Sequence, residues 1–281
     1  MNSGTLYIVA TPIGNLEDIT LRALRILREV DYIAAEDTRH SKLLLKQYEI
    51  NTKLLAYHNF NEESCSKKIL DLLLNGKHIA LISDAGTPLI NDPGYRLINL
   101  ARTENINIVP IPGPSAITAA ISVAGLPTNQ FLFYGFLPAK LKERQSVLMT
   151  LKNHPATLIF YEAPHRILEM AQDCLEVFGE ERKMVIAKEL TKQFETIKHD
   201  QIGKIIEWLQ EDPMRQKGEF VVLVEGAVAQ ISDEVSTSKI LAVLTEELPP
   251  SKAAMIVAKL TGANKSDLYN QILKAKPQKQ T

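Results

Sequence analysis

Cysteine is almost missing from this chain: Cys65 and Cys174 are the only two in 281 residues. Neither stands in a CxxC pair or beside a histidine cluster, so neither a disulfide framework nor a zinc site is indicated. Long apolar runs are missing as well. No stretch reaches the roughly 18 residues of a membrane span, and no signal peptide is read at the start, so a cytoplasmic protein without a membrane partner is expected. No GxGxxG opens the first strand–helix unit and no GxxxxGK[ST] occurs, which removes the main support for a dinucleotide site or a P-loop. Without GxSxG, and with neither cysteine in a nucleophile context, hydrolase chemistry is poorly supported. No metal is expected: Asp84 and Asp92 share a loop but no ligand pattern, and solvated carboxylates describe them better. A strong charge of one sign is also lacking. Lys and Arg number 32 against 33 Asp and Glu, a net charge of −1, which argues against holding nucleic acid by bulk electrostatics.

What is present is an ordinary globular composition, 45% hydrophobic and 23% charged, long enough for one large α/β domain or two smaller ones. The charge is unevenly placed. Residues 248–281 carry six lysines against Asp267 alone, leaving the remainder acidic. A basic tail fits a polyanionic partner, and it fits a solubilising end equally well.

Short β-rich runs alternate with helical patterns. Strands are expected at 5–9, 31–35, 53–57, 78–82 and 107–111, and a helix at 19–30 with Asp18 at its N-cap. This alternation predicts a largely parallel sheet covered by helices. The Gly- and Pro-containing stretch 122–130 marks a boundary, after which strands are expected at 131–135, 157–161, 183–187 and 219–226, some of them antiparallel. "TLYIVATP" (5–12) and "TLIFYEAP" (157–164) look alike, which shared strand–turn–helix grammar explains better than a true repeat. The last fifty residues read as three short helices, 238–248, 251–260 and 265–275, with Ser251 and Ser266 as N-caps and Gly262 as a stop. That is helix-turn-helix grammar, or else a helical hairpin packed on the body; apolar Leu241, Leu244, Ile256 and Leu260 fit a private core or a shared one. The polar join at 229–238 is expected to be flexible. The predicted organisation is therefore an α/β domain over 1–121, a second α/β domain over 122–230, and a basic helical domain over 231–281.

Ligands of open α/β sheets bind beyond the carboxyl ends of the strands. There lies "SDAGTPLINDPG" (83–94), twelve residues with two Gly, two Pro and two Asp, far more than a connection needs. Gly admits φ > 0 and Pro fixes φ, so this is a backbone shaped to offer amides and carbonyls. "ATPIGNLED", "EDTRHS", "PGPSAITAA", "EAPHR", "KELTKQFE" and "GEF" occupy the other strand ends. In "PGPSAITAA", Pro114 also suits the N1 position of a closely packed helix.

"TPIGNLEDIT", "AAEDTRHS", "SDAGTPLINDPG", "PGPSAITAA" and "GEFVVLVEG" together resemble the tetrapyrrole-methylase superfamily, over about residues 4–228 and in order. "AAEDTRHS" with "SDAGTPLINDPG" resembles its branch of 16S rRNA cytidine-2′-O-methyltransferases. In corrin and porphyrin methylases the segment matching Gly86-Thr87-Pro88 normally reads Gly-Asp-Pro, and the first loop is richer in Gly. The tail resembles the small helical domain at the end of the rRNA enzymes. The resemblance implies two α/β domains with S-adenosyl-L-methionine between them, a homodimer, and 16S rRNA of the small ribosomal subunit as partner. By analogy Thr87, Ile90, Ser115 and Ala116 are expected to touch the cofactor, and Pro12, Tyr161, Leu190 and Glu219 match further cofactor-lining positions. A methylase of a small tetrapyrrole-like metabolite and a ligand-sensing DNA-binding regulator are the competing readings.

Methyl transfer from a sulfonium requires alignment with the acceptor oxygen and removal of a weakly acidic proton. Asp37, Arg39, Lys188 and Glu189 are the catalytic candidates, each near a strand end. Asp37 or Glu189 suits proton removal and Lys188 or Arg39 suits stabilisation of an alkoxide, while two structural ion pairs explain the same four residues. For RNA, Lys140, Lys142 and Arg144 of "PAKLKERQ", with Arg39, His40 and Lys42, are placed to meet phosphates, and Lys265 stands in the basic tail. A solvated helix face accounts for "KLKER" as well.

Overall fold

The computed structural model describes residues 3–227 and 233–275. Its contacts divide the chain into two units, Met1–Ala227 and Val228–Thr281. Among the described residues, no helix is long and apolar enough to cross a membrane.

The first unit contains two five-stranded sheets. One is built from β1 (Thr5–Val9), β2 (Tyr32–Ala35), β3 (Lys53–Ala56), β4 (Ile79–Ile82) and β5 (Asn107–Ile111). All are parallel, in the order β3-β2-β4-β1-β5. Parallel neighbours need crossovers, supplied here by α1 (Leu21–Glu29), α2 (Thr38–Gln47), α3 (Glu62–Leu74) and α4 (Tyr95–Thr103). Central β4 reads Ile-Ala-Leu-Ile because both faces are covered. Ala80 and Ile82 join Leu24, Leu27 and Ile33 on one side, while Ile79 and Leu81 join Tyr57, Ile69 and Leu97 on the other. The N-cap of α1 is Thr20, whose hydroxyl accepts from the Ala23 amide at 3.1 Å. Asp18 instead belongs to a short 3₁₀ turn, Leu16–Asp18.

The second sheet holds β6 (Phe131–Phe136), β7 (Thr157–Glu162), β8 (Lys183–Lys188), β9 (Thr196–Gln201) and β10 (Phe220–Val224), ordered β6-β7-β10-β8-β9. Only β6 and β7 pair in parallel, across α6 (Leu141–Leu151); the other pairs are antiparallel. Helices α7 (Ile167–Phe178) and α8 (Ile202–Glu211) cover one face, over Phe160, Val222 and Ile186. The opposite face receives α5 (Ala116–Val123), whose Ile117 and Ala120 pack with Ile159, Val185 and Leu223. Helix α5 thus shares the core of the second sheet, although most of it precedes the expected boundary after 121. Pro114 lies outside α5, because Ser115 is the N-cap.

The second unit contains α9 (Asp233–Glu247), α10 (Pro250–Thr261) and α11 (Lys265–Ala275). They enclose a core of their own, with Leu241, Ala253, Val257, Leu268 and Ile272 buried and Leu244 packed against it. Leu260, expected in a core, is exposed. Pro249 caps α10 and Pro250 starts it, which moves Ser251 inside the helix. Asn264, not Ser266, caps α11, its Oδ1 accepting from the Ser266 amide at 2.8 Å. Gly262 ends α10 in the left-handed region, φ +74°. Of the expected flexible join, residues 229–232 lie outside the described residues and 233–238 are helical.

Candidate active site

A cavity of about 490 Å³ lies at the carboxyl ends of β1, β2 and β4, and the second sheet closes its far side. The 83–94 loop forms one wall and is stitched in place. Thr11 and Gly86 exchange backbone hydrogen bonds of 2.9 and 3.0 Å, the Thr11 hydroxyl donates to Ser83 O, and the Thr87 hydroxyl donates to Pro114 O at 3.1 Å. Within the loop Leu89 and Asn91 adopt φ of +71° and +68°, conformations that cost non-glycine residues energy and collect at functional sites. The loop reaches β6 at Gly135, where a Cβ would lie 2.8 Å from Asn91 Oδ1. On another side the Asn15 amide donates to Thr191 Oγ1 at 3.1 Å.

Of the residues matched to cofactor positions, Thr87, Ile90, Ser115 and Ala116 line the cavity from one side. Tyr161, Leu190 and Glu219 line it from the second sheet. Pro12 does not; it borders a separate small recess, and its neighbour Ile13 lines the cavity instead. Ser115 makes no side-chain cap bond, so the first amides of α5 are left to a ligand at the positive end of the helix dipole. The apolar surface comes from Ile13, Phe136, Leu190 and Val221.

The four catalytic candidates lie outside the cavity lining. Asp37 is the N-cap of α2, accepting from the Arg39 amide at 2.8 Å and pairing with its guanidinium at 2.9 Å. Those hydrogen bonds hold its carboxyl at about 2, too acidic for a good proton acceptor near neutrality. Arg39 is committed to this pair, which raises its own pKa. Lys188 donates to Met214 O at 2.9 Å. Glu189, at φ +51°, braces the turn before β10: its Oε1 accepts from the Glu219 amide at 2.8 Å and from Lys192 Nζ at 3.0 Å. Gly218 adopts φ +99°, a conformation that favours glycine, and a Cβ there would also lie 2.6 Å from the Glu189 side chain. Burial raises the Glu189 pKa, but the Glu219 amide and Lys192 outweigh it and the net shift is downward.

Instead, Glu36, Asp84 and Asp92 line the cavity. Burial raises Glu36 first, then the negative charges of Asp92 and Asp84, against a hydrogen bond from the Asp84 amide. Burial likewise raises Asp92, and burial with the Asp92 charge pushes the facing Tyr161 phenol to about 12. Among the described residues, no group of three such ligands is arranged to hold a metal ion. A signal for Glu36 was available in "AAEDTRHS". The Asp before a helix is the preferred N-cap, which leaves the preceding Glu as the free carboxylate.

Lys140 and Lys142 are exposed beside Glu143, to which Lys140 pairs at 3.1 Å, and Lys265 is exposed on α11. Arg144 corrects the expected phosphate contact, because its side chain is only 3% exposed. Its Nε meets the buried Asp173 carboxylate of α7 and its Nη1 donates to Ala139 O at 3.1 Å.

Residues 5–206 match the family model described as Tetrapyrrole (Corrin/Porphyrin) Methylases, and residues 231–276 match the RsmI C-terminal HTH domain. A curated relative from Escherichia coli O157:H7, "Ribosomal RNA small subunit methyltransferase I", is 50% identical over 97% of this chain and 96% of its own. A relative of the same name from Pseudomonas aeruginosa is 49% identical over 97% of this chain and 98% of its own. Among solved structures, a uroporphyrin-III-C-methyltransferase from Thermus thermophilus superposes with a TM-score of 0.57, covering 79% of this chain and 94% of its own. At 18% identity that likeness concerns the fold. With the model spanning most of the chain and half its residues shared with full-length relatives, the chain belongs to the tetrapyrrole methylases and, within them, to the ribosomal RNA small subunit methyltransferase I family.

Proposed function

We propose that this protein methylates the 2′-oxygen of a cytidine ribose in 16S rRNA of the small ribosomal subunit, using S-adenosyl-L-methionine, as a cytoplasmic homodimer. The cavity carries this reading, because its chemistry fits the donor. The α5 amides suit a carboxylate, the apolar walls suit an adenine, and Asp84 and Asp92 suit a positively charged sulfur and amine. Bound there, S-adenosyl-L-methionine supplies a methyl group on a good leaving group. The chain's own part is to orient the ribose, exclude water and accept a proton.

An acidic cavity repels phosphate, so only a sugar is drawn inward while the RNA backbone stays on the rim. Lys140, Lys142 and, in the helical unit, Lys265 are exposed cations suited to that backbone. Edge strand β6 exposes Phe131 and Tyr134, an apolar edge that a monomer would leave open to association; this supports a dimer. The test is to incubate the protein with labelled S-adenosyl-L-methionine and unmodified small subunits, map the label, and measure the mass in solution. A single 2′-O-methylated cytidine and a dimeric mass are expected. Label on a base or on a small metabolite, with none on the ribose, overturns the assignment.

A further inference from the structure

Among the described residues, six titratable side chains belong to residues lining the cavity: Glu36, Asp84, Asp92, Tyr161, Glu162 and Glu219, with no Lys, Arg or His. A reaction that removes a hydroxyl proton there must use one of them or solvent. The Tyr161 phenol keeps its proton to about 12. Glu162 is fully buried on the α7 side of its strand, accepting from the Ala163 amide at 2.8 Å and facing Arg166 Nε at 3.3 Å. The Glu219 carboxylate is paired with Lys192 at 2.8 Å. Asp84 ties two loops together by accepting from the Asp37 amide at 2.9 Å, and Asp92 is half-buried in the 83–94 loop against the Tyr161 phenol. Among the described residues no side-chain hydrogen bond or ion pair reaches Glu36; the Asp84 amide is the one group that favours its charged form. It stands on the residue after β2, beside central β4, where acceptors approach an α/β sheet.

We propose that Glu36 is a catalytic residue, the base that takes the proton from the acceptor hydroxyl in this cavity. The proposal rests on the methyl-transfer reading above. As the hydroxyl oxygen donates a lone pair to the methyl carbon, its O–H pair becomes an oxygen lone pair and the proton passes to a Glu36 oxygen. The carbon–sulfur pair leaves with sulfur as a neutral thioether, and Glu36 later returns the proton to water. Burial and the charges of Asp84 and Asp92 raise Glu36 toward the working pH, which makes it a stronger base than an ordinary carboxylate. The groups facing it are Asp84 and Asp92, with Tyr161 behind Asp92, and Asp37 with Arg39 on its own segment.

The experiment compares Glu36→Gln with the wild type in three readouts: methylation of unmodified small subunits against pH, calorimetric affinity for S-adenosyl-L-methionine, and melting temperature. Expected are a rate loss of about 10²–10⁴-fold and loss of the acidic limb of the pH profile. Affinity is expected to hold within about threefold, as for a group acting on the transition state alone. At neutral pH the variant is expected to melt no lower than wild type, because glutamine relieves a buried repulsion. A near-normal rate, an equal fall in rate and affinity, or a fall in melting temperature that accounts for the lost rate each overturns the proposal. A wild-type protein that transfers no methyl group overturns the functional reading itself, which the variant's behaviour alone cannot do.

Discussion

The carboxylates around the second sheet and those at the strand ends of the first are treated in opposite ways. Around the second sheet four carboxylates that border the site or the core have cations: Asp173 has Arg144, Glu162 has Arg166, and Glu189 and Glu219 share Lys192. At the first sheet Glu36, Asp84 and Asp92 face one cavity and one another, with no cation among the lining residues. Paired charges are used to build, since they fix a loop or a helix contact. Unpaired charges store repulsion, and a fold retains that cost where a cationic ligand or a proton is to be received. Four of the six non-glycine residues with positive φ among the described residues, Leu89, Asn91, Glu189 and Thr191, lie in the two loops bordering the cavity, while Glu49 and Asn105 follow the ends of α2 and α4.

Removing a building charge is expected to have the largest effect on stability. Arg144→Ala leaves Asp173 charged and buried, and is expected to cost about 3–5 kcal/mol in a denaturant melt. The double change Arg144→Met with Asp173→Leu is expected to recover most of that loss. RNA affinity of the folded Arg144→Ala protein is expected to be unchanged; a selective loss of RNA binding would return Arg144 to the phosphate interface. Next in size, Thr87→Trp is expected to weaken S-adenosyl-L-methionine at least tenfold, about 1.4 kcal/mol. Its melting curve is expected to move by no more than the bond to Pro114 O is worth, about 1 kcal/mol. Unchanged affinity would remove the 83–94 loop from the donor site.

Deleting residues 232–281 is expected to leave donor affinity intact and make subunit binding less dependent on salt, because fewer counterions are released. A lowered melting temperature of the remaining chain with an unchanged salt slope would give the tail a purely structural part. The smallest effect is expected at Asp37. Arg39 holds its carboxyl at about 2, below the ordinary 3.8, so its stabilisation is complete above 3.8 and is lost as pH falls through about 2. Asp37→Asn is therefore expected to change the methylation rate by less than about threefold between about pH 5 and 8. A loss like that of Glu36→Gln would shift proton removal to Asp37.

Much of the fold was legible because periodicity is a local property. Nine of the ten strands among the described residues were expected at or near their observed places, and Gly262 stops its helix as anticipated. Strand β9 escaped because it lies at a sheet edge and reads Thr-Ile-Lys-His-Asp-Gln, which has too few buried positions to print an alternation. The site was legible down to its loops but not to its charges. Seven of the eight positions matched to cofactor contacts line the cavity, since strand ends are fixed by topology. Which carboxylate is paired depends on distant packing: Arg144 meets Asp173 across two helices, 29 residues away, and "KLKER" alone cannot reveal that. Glu36 and Asp37 are neighbours with opposite parts, separated by which one the start of α2 captures.

The contrast between paired and unpaired carboxylates is tested most directly by titrating the Glu36 side chain by carbon-detected NMR in the protein without ligand. A midpoint above the ordinary 4.5, moving down when Asp92→Asn removes one neighbouring charge, is the predicted result. A midpoint at or below 4.5 that ignores Asp92→Asn would contradict it, because Glu36 would then be neither buried against like charge nor raised toward neutrality.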